Sequence, residues 1–121
     1  MQHLTGGFNQ FLCKGLVEKG NIYLFTPTEA HRNIYATVHG GMISSLVDIV
    51  TSLEIMKTNE KQGMGVSVDL NVQFLKPIVG PFTMEPRVER LGKNLIFTSC
   101  KVFNEKKELS ALGRHIKMVS K

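Results

Sequence analysis

The chain has 121 residues, of which 42% are hydrophobic and 21% are charged. This length fits one domain over residues 1–121, and the composition is that of an ordinary globular protein, which argues against a largely disordered chain. The two cysteines, Cys13 and Cys100, are too few for a disulfide framework and lack the C-x-x-C spacing of metal or redox sites. We expect both cysteines to be structural.

The net charge of +5 is unevenly distributed. Residues 1–60 carry four basic and five acidic residues, whereas residues 61–121 carry eleven basic and five acidic ones. The basic half could attract a polyanion, but its charges are dispersed along strand patterns without a basic helix or an aromatic RNA-binding motif. We therefore expect no nucleic-acid partner. A phosphorylated small molecule would fit the positive charge at least as well as nucleic acid. For each single Lys or Arg, the alternative is a solvated position on the outer face of the sheet.

The sequence has no run of about 18 apolar residues, so we expect no membrane span. Residues 1–7 lack the basic and apolar regions of a targeting peptide. We expect a cytoplasmic protein, with a mitochondrial location left open.

The first predicted element is a strand over residues 21–27, closed by Pro27, and a polar loop through Asn33 follows it. Residues 41–57 contain no proline and carry apolar side chains on nearly all sides, which predicts a buried central helix. One narrow polar stripe with three- and four-residue spacing interrupts these apolar sides and must face something polar. The stripe consists of Gly41, Ser44, Ser45, Asp48, Thr51 and Ser52.

After a loop over residues 58–63, apolar and polar residues alternate over residues 64–76, which predicts a half-buried strand with strict period two. This strand would exceed the usual length of about 3 to 10 residues, so we expect it to be twisted and curved around the helix.

Three further strands are predicted over residues 82–90, 95–103 and 109–119, with turn residues between them. Pro81 and Pro86 favour an edge position for the first of the three. One long helix followed by consecutive antiparallel strands indicates an α+β fold, in which a curved antiparallel sheet wraps a long central helix.

The residues with the strongest chemical potential surround the start of the predicted helix. Gly40 and Gly41 would leave unpaired backbone N–H groups at the helix head, where a developing oxyanion could bind, and Asp48 lies two turns further along. Simple turn formation is the alternative for the glycines. His39 could be a base, but we favour a role in orienting the loop, with Asn33 as a candidate partner. Asp48 could instead serve packing only, hydrogen-bonded to neighbouring hydroxyls.

The combined pattern Asn33-x5-His39-Gly40-Gly41-x6-Asp48, followed by the sequence GVSVDLNV over residues 65–72, resembles the hotdog-fold acyl-CoA thioesterases. The nearest match is the thioesterase superfamily member 2 type, which is similar to bacterial phenylacetate-pathway thioesterases. Residues 90–99 and 113–117 also match, and the resemblance covers about residues 20–119.

The resemblance implies that the amide of Gly40 polarises a thioester carbonyl while Asp48 of the partner subunit acts as general base or nucleophile. Ser67 would help to place the water or the carboxylate, and Asn33 and His39 would hold the loop and the thioester in register. One departure is Ala36, at a position where relatives often have glycine.

The resemblance also implies that coenzyme A, which is part of the substrate, runs between the subunits of a homodimer that assembles further into a homotetramer. No cofactor or metal is expected. The implied contacts are Gly41, Phe74, Lys76, Pro77, Arg90, Gly92, Lys93, Asn94 and Leu95, with Arg114 and Lys117 as alternatives for the phosphates.

We therefore expect an enzyme that hydrolyses a fatty or aryl acyl-CoA. Two alternatives remain open: a non-catalytic acyl-CoA-binding or regulatory module, and an enoyl-thioester hydratase, whose motif the sequence does not resemble.

Overall fold

The computed structural model of the protein describes residues 7–59, 63 and 65–119. The elements in chain order are α1 (Gly7–Leu12), β1 (Leu16–Lys19), β2 (Ile22–Phe25), a short 3-10 helix (Glu29–His31), α2 (Gly40–Thr58), β3 (Val66–Phe74), β4 (Phe82–Leu91), β5 (Leu95–Phe103) and β6 (Leu109–Met118). The six strands of this part of the chain form one antiparallel sheet in the order β1-β2-β4-β5-β6-β3, and the long helix α2 packs on it. This architecture confirms the predicted α+β class.

The helix α2 is central, as its pattern predicts, and ten of its residues are buried. Its apolar side chains form one core with the inner face of the sheet, where Tyr23, Phe25 and Phe82 are almost fully buried. Gly113 on β6 permits the close approach of helix and sheet, since a Cβ at this position would lie 2.7 Å from Cγ1 of Val47. The predicted helix differs from the observed one by a single residue at each end.

The prediction for β3 is wrong in three respects: length, burial and alternation. The strand has nine residues, which is within the usual range. Nearly all of its residues are exposed, because among the described strands β3 lies at the edge of the sheet and pairs with β6 alone. The alternation is not strict either: a register shift between Ser67 and Asp69 indicates a β-bulge. Because of it, Ser67 faces the same side as Leu70 and Phe74, toward α2, and this places a hydroxyl where strict alternation predicts an apolar side chain.

The edge position predicted for β4 is also wrong, because β4 lies between β2 and β5. The prolines are tolerated for a local reason. The ladder between β2 and β4 involves Phe82, Thr83 and Met84 of β4, so Pro86 lies beyond its end. At Pro86 the strand has one paired neighbour, β5, although the strand as a whole is internal.

Three elements were not predicted: the helix α1, the strand β1 and the short 3-10 helix. The strand β1 forms a hairpin with β2 through Gly20, whose φ of +64° is in the left-handed region that turns require. The two apolar residues of β1, Leu16 and Val17, are adjacent and two charged residues follow them, so the segment shows no alternation. Three predictions lie outside the described residues, in whole or in part. They are the leader prediction for residues 1–6, the middle of the predicted loop (residues 60–62) and the predicted strand start at residue 64. Within the described residues, no helix is long and apolar enough to cross a membrane.

Candidate active site

The start of α2 offers one backbone donor. The ring of His39 caps the helix, since its Nδ1 accepts the N–H of Gly41 at 2.9 Å, and the carbonyl oxygen of His39 accepts the N–H groups of Met42 and Ile43. Among the described residues, the N–H of Gly40 has no hydrogen-bond partner. This group points out of a helix N-terminus, where the helix dipole favours negative charge. Gly40 can therefore donate to an oxyanion, whereas the donor of Gly41 is already used.

The loop before α2 is fixed by Asn33. Its Oδ1 accepts the N–H of Tyr35 at 2.9 Å and that of Thr37 at 3.2 Å, and its Nδ2 donates to Oγ1 of Thr37. His39 bonds Gly41 and not Asn33, so the two side chains shape adjacent parts of the loop separately. Ala36 has a φ of +62°, which shows that the loop keeps a left-handed residue without glycine.

The ring of Phe74, at the end of β3, lies against Gly40. A Cβ at position 40 would be 3.2 Å from Cζ of this ring, so the absence of a side chain lets the aromatic ring approach the helix head. Phe74 is 52% exposed. It forms an apolar wall beside the free N–H of Gly40.

The carboxylate of Asp48 is half-exposed, with 44% of its side chain accessible. Its Oδ1 lies 3.5 Å from the Ser52 hydroxyl, which donates to it, and 3.7 Å from Nε2 of His115. Lys117 donates from Nζ to Oγ of Ser52 at 2.7 Å. The second half of the polar stripe, Asp48, Thr51 and Ser52, therefore does face a polar partner, which is the inner side of β6.

Two residues of this network were not assigned a catalytic or positioning role from the sequence. His115 and Lys117 alternate on β6 and face α2, and their exposures are 0% and 6%. Burial lowers the pKa of His115, and the charge of Lys117 lowers it further, while Asp48 and Asp69 raise it. Burial also lowers the pKa of Lys117, against the effect of Asp48. The sequence signal that could have identified His115 and Lys117 is that both are polar residues on one face of the strand predicted over residues 109–119, while the helix carries a polar stripe.

Burial also argues against Lys117 as a contact for phosphates, an alternative left open by the sequence. Its Nζ points at Ser52 and not at solvent. Arg114 is exposed on the opposite face of β6.

The residues expected to bind coenzyme A are not brought together within one protomer. Phe74, Lys76 and Pro77 lie at one end of β3, where Lys76 forms a 2.7 Å ion pair with Glu108. The turn between β4 and β5 lies at the other end, because Leu95 pairs with Met118, which pairs with Val66. Nine residues of strand separate these ends by roughly 25 Å. At the turn, a shallow surface pocket of about 600 Å³ is lined by Arg90, Gly92, Lys93, Asn94, Leu95 and Phe97.

Comparison with known proteins assigns this arrangement to a family. Residues 35–111 match the family described as "Thioesterase superfamily". The chain belongs to the thioesterase superfamily. Human acyl-coenzyme A thioesterase 13 is 36% identical over 92 residues, which cover 74% of this chain and 65% of that protein. The chain thus spans just under two thirds of the length of this curated relative.

Solved structures of the same superfamily share the fold. Zebra fish thioesterase superfamily member 2 aligns with a TM-score of 0.86 at 27% identity, covering 96% of this chain and 88% of that one. The same protein from Mus musculus aligns with a TM-score of 0.80 at 30% identity, covering 88% and 89%. The likeness confirms the hotdog fold and the resemblance to the member 2 type.

Proposed function

We propose that this member of the thioesterase superfamily hydrolyses acyl-CoA thioesters to a free acid and coenzyme A. The observation that carries the proposal is the unpartnered N–H of Gly40 at a helix head together with the half-exposed carboxylate of Asp48 on the same helix. One group can stabilise an oxyanion and the other can take a proton from water. The name of the human relative, an acyl-coenzyme A thioesterase, supports the substrate class.

The two groups cannot act on one carbonyl within a single protomer. Eight residues of helix separate Gly40 from Asp48, which is about 12 Å along the axis. The N–H of Gly40 points away from the helix, so a bound carbonyl lies about 3 Å beyond it. Attack by a water held on the carboxylate needs a separation of roughly 6 Å between that carboxylate and the carbonyl carbon. A complete site therefore requires Asp48 from a second copy.

The edge strand β3 provides the surface for this second copy. Among the described strands β3 pairs only with β6, and its apolar residues Val66, Val68 and Leu70 are exposed. An unpaired apolar edge favours association, and a two-fold axis pairs β3 antiparallel with itself. The Phe74 end of one strand then lies beside the partner's Ser67 end. This arrangement brings Gly40 of one protomer toward the partner's Asp48.

The same two-fold axis accounts for the separated binding residues. Lys76 lies at the Phe74 end of β3, and Arg90 and Lys93 lie at the Val66 end. Antiparallel pairing puts Lys76 of one protomer near the turn of the partner, so basic side chains from both copies flank a single groove. We infer that coenzyme A binds there with its phosphates among these cations. The dimers would assemble further into a tetramer.

In the proposed reaction, the water oxygen attacks the thioester carbon while Asp48 takes one water proton. The carbonyl oxygen becomes an oxyanion that accepts the N–H of Gly40. Collapse of this intermediate re-forms the C=O bond and breaks the C–S bond, and the proton on Asp48 passes to the departing thiolate. The products are the carboxylic acid and the free thiol of coenzyme A. We propose that the reaction takes place in the cytoplasm or in mitochondria.

The first test is release of free thiol from a panel of fatty and aryl acyl-CoAs. The panel identifies the acyl group that the chain prefers. Asp48→Asn removes the proton acceptor with little change in shape, and we expect kcat to fall by about 10²-fold or more. An unchanged kcat would contradict the assigned role.

The second test removes only the proposed oxyanion donor. Proline fits the first helical position, and His39 before it has the extended backbone (φ −59°, ψ 133°) that a following proline requires. Gly40→Pro therefore deletes the N–H, with an expected loss of about 10²-fold to 10³-fold in kcat. Gly40→Ala is the matched control, because it keeps the N–H but adds the contact with Phe74. Equal losses in both variants would point to that contact and not to the donor.

A further inference from the structure

His115 is a fully buried imidazole with both ring nitrogens hydrogen-bonded. Its Nδ1 lies 2.8 Å from Oγ1 of Thr51 on α2, and its Nε2 lies 2.6 Å from Oγ of Ser67 on β3. The ring therefore links the helix to the bulge that turns Ser67 inward. Neither the family pattern nor the proposed reaction gives His115 a role.

The direction of each hydrogen bond follows from the number of available protons. Thr51 has one hydroxyl proton, which it donates to the carbonyl oxygen of Val47 one turn back at 2.7 Å. With that proton directed at Val47, the oxygen of Thr51 is left to accept, which assigns the ring proton of His115 to Nδ1. Burial lowers the pKa of His115 and so favours the neutral ring, which has one proton. With this proton on Nδ1, the Nε2 atom is the acceptor in its 2.6 Å contact with the hydroxyl of Ser67.

This chain of bonds decides what Ser67 can offer to a ligand. Its only proton is directed at His115, so the exposed side of its oxygen can only accept. Asp48 is also an acceptor, and its Oδ1 lies 3.7 Å from the same Nε2. Two acceptors side by side match the two protons of one water molecule, whose lone pair is then free to face an electrophile.

We propose that His115 is a positioning residue that, through the fixed chain Thr51–His115–Ser67, makes Ser67 a hydrogen-bond acceptor and so orients the attacking water between Ser67 and Asp48. The proposal rests on the proposed hydrolysis and specifies how its water is held. It favours Asp48 as general base over Asp48 as nucleophile, because a water held in this way occupies the position between the carboxylate and the carbonyl.

The test is a double-mutant cycle on kcat with Thr51→Val and Ser67→Ala. Valine has the shape of threonine but removes the acceptor for Nδ1. The ring proton is then free to move to Nε2, where it would donate to Ser67 and reverse the direction of that hydrogen bond. We expect Thr51→Val to lower kcat roughly tenfold with KM unchanged. In the Ser67→Ala background the same substitution should lower kcat less than about twofold, because Ser67 is the route of the effect. Equal losses in both backgrounds would overturn the proposal.

Thr98→Val is the matched control. Thr98 is buried and donates to the backbone oxygen of His115 at 2.7 Å, so this variant disturbs the same residue without touching the ring. We expect a loss of stability but an unchanged kcat. A loss of kcat like that of Thr51→Val would mean that loosening of β6, and not the orientation of Ser67, controls the rate.

A second readout does not depend on activity. In the described part of the chain, Nδ1 accepts a proton in His31 and in His39, so His115 alone of these three carries its proton on Nδ1. Nitrogen NMR of the imidazoles should show a ring protonated on Nδ1 that is absent in His115→Gln. A ring protonated on Nε2 at this position would overturn the proposal. A protein with the expected ring that releases no thiol would contradict the proposed function and the role of the water, while the direction of the hydrogen bonds would stand.

Discussion

At the scale of single residues, the site depends on which polar groups are already used. The helix head has several N–H groups, but the bonds to His39 leave Gly40 as the free donor among the described residues. The residues alone leave both glycines as candidate donors at the helix head, and the family resemblance implied that Gly40 is the donor. The structure separates them because the ring of His39 reaches one N–H and not the other.

The buried histidines predict how stability depends on pH. Burial lowers the pKa of His115 and of His31 below the ordinary value of 6.5. The unfolded chain then binds more protons than the folded one just below this value, so the free energy of unfolding decreases as the pH falls below about 6.5. Urea denaturation between pH 8 and pH 5.5 should show this decrease.

The control for this prediction is His115→Gln, which has no titrating ring at the buried position. We expect a weaker dependence on pH over the same range. A dependence equal to that of the wild-type chain would assign the effect to other groups.

At the scale of elements, the contact of α2 with β6 sets the site. Gly113 and His115 are on the same face of β6, so the approach of the helix at Gly113 brings Thr51 to the ring of His115. Gly113→Ala would place a methyl group 2.7 Å from Cγ1 of Val47. We expect a loss of about 1 to 3 kcal/mol of stability from this overpacking, measured by urea denaturation.

The matched control for Gly113→Ala is the double variant with Val47→Ala. This second substitution removes the methyl group that the new Cβ meets, so the double variant should be more stable than the sum of the single losses predicts. If the two losses of stability are strictly additive, the loss in Gly113→Ala does not come from contact with Val47.

The elements also show where sequence patterns lose information. Strong periodicity identified α2 and the later strands almost to the residue. The bulge in β3 and the interior position of β4 were missed, because a bulge shifts the side chains of a strand by one residue and neighbours in a sheet are not neighbours in the chain. Pro86 correctly indicated that, in the described sheet, β4 lacks a second neighbouring strand at that position, but the strand as a whole is internal.

At the scale of the whole molecule, the proposed split site predicts complementation between two inactive variants. A chain with Asp48→Asn still offers Gly40, and a chain with Gly40→Pro still offers Asp48. When equal amounts are unfolded and refolded together, about a quarter of the sites combine both intact groups. We expect thiol release at roughly that fraction of the wild-type rate.

The control is the same mixture of separately refolded variants, measured before subunits can exchange. It should show only the residual activity of the parents. If the co-refolded mixture is no more active than this control, the two groups belong to one protomer and the assembly through β3 is wrong.

The sequence by itself determined the fold class, the central helix, the family and the candidate residues around Gly40 and Asp48, because periodicity and motif spacing are properties of a linear chain. Only the tertiary structure decided which donor is free, that a bulge turns Ser67 toward the helix, and that His115 and Lys117 lie behind Asp48. Those contacts join residues 48 to 65 positions apart, and no local pattern records which side chains meet across such separations.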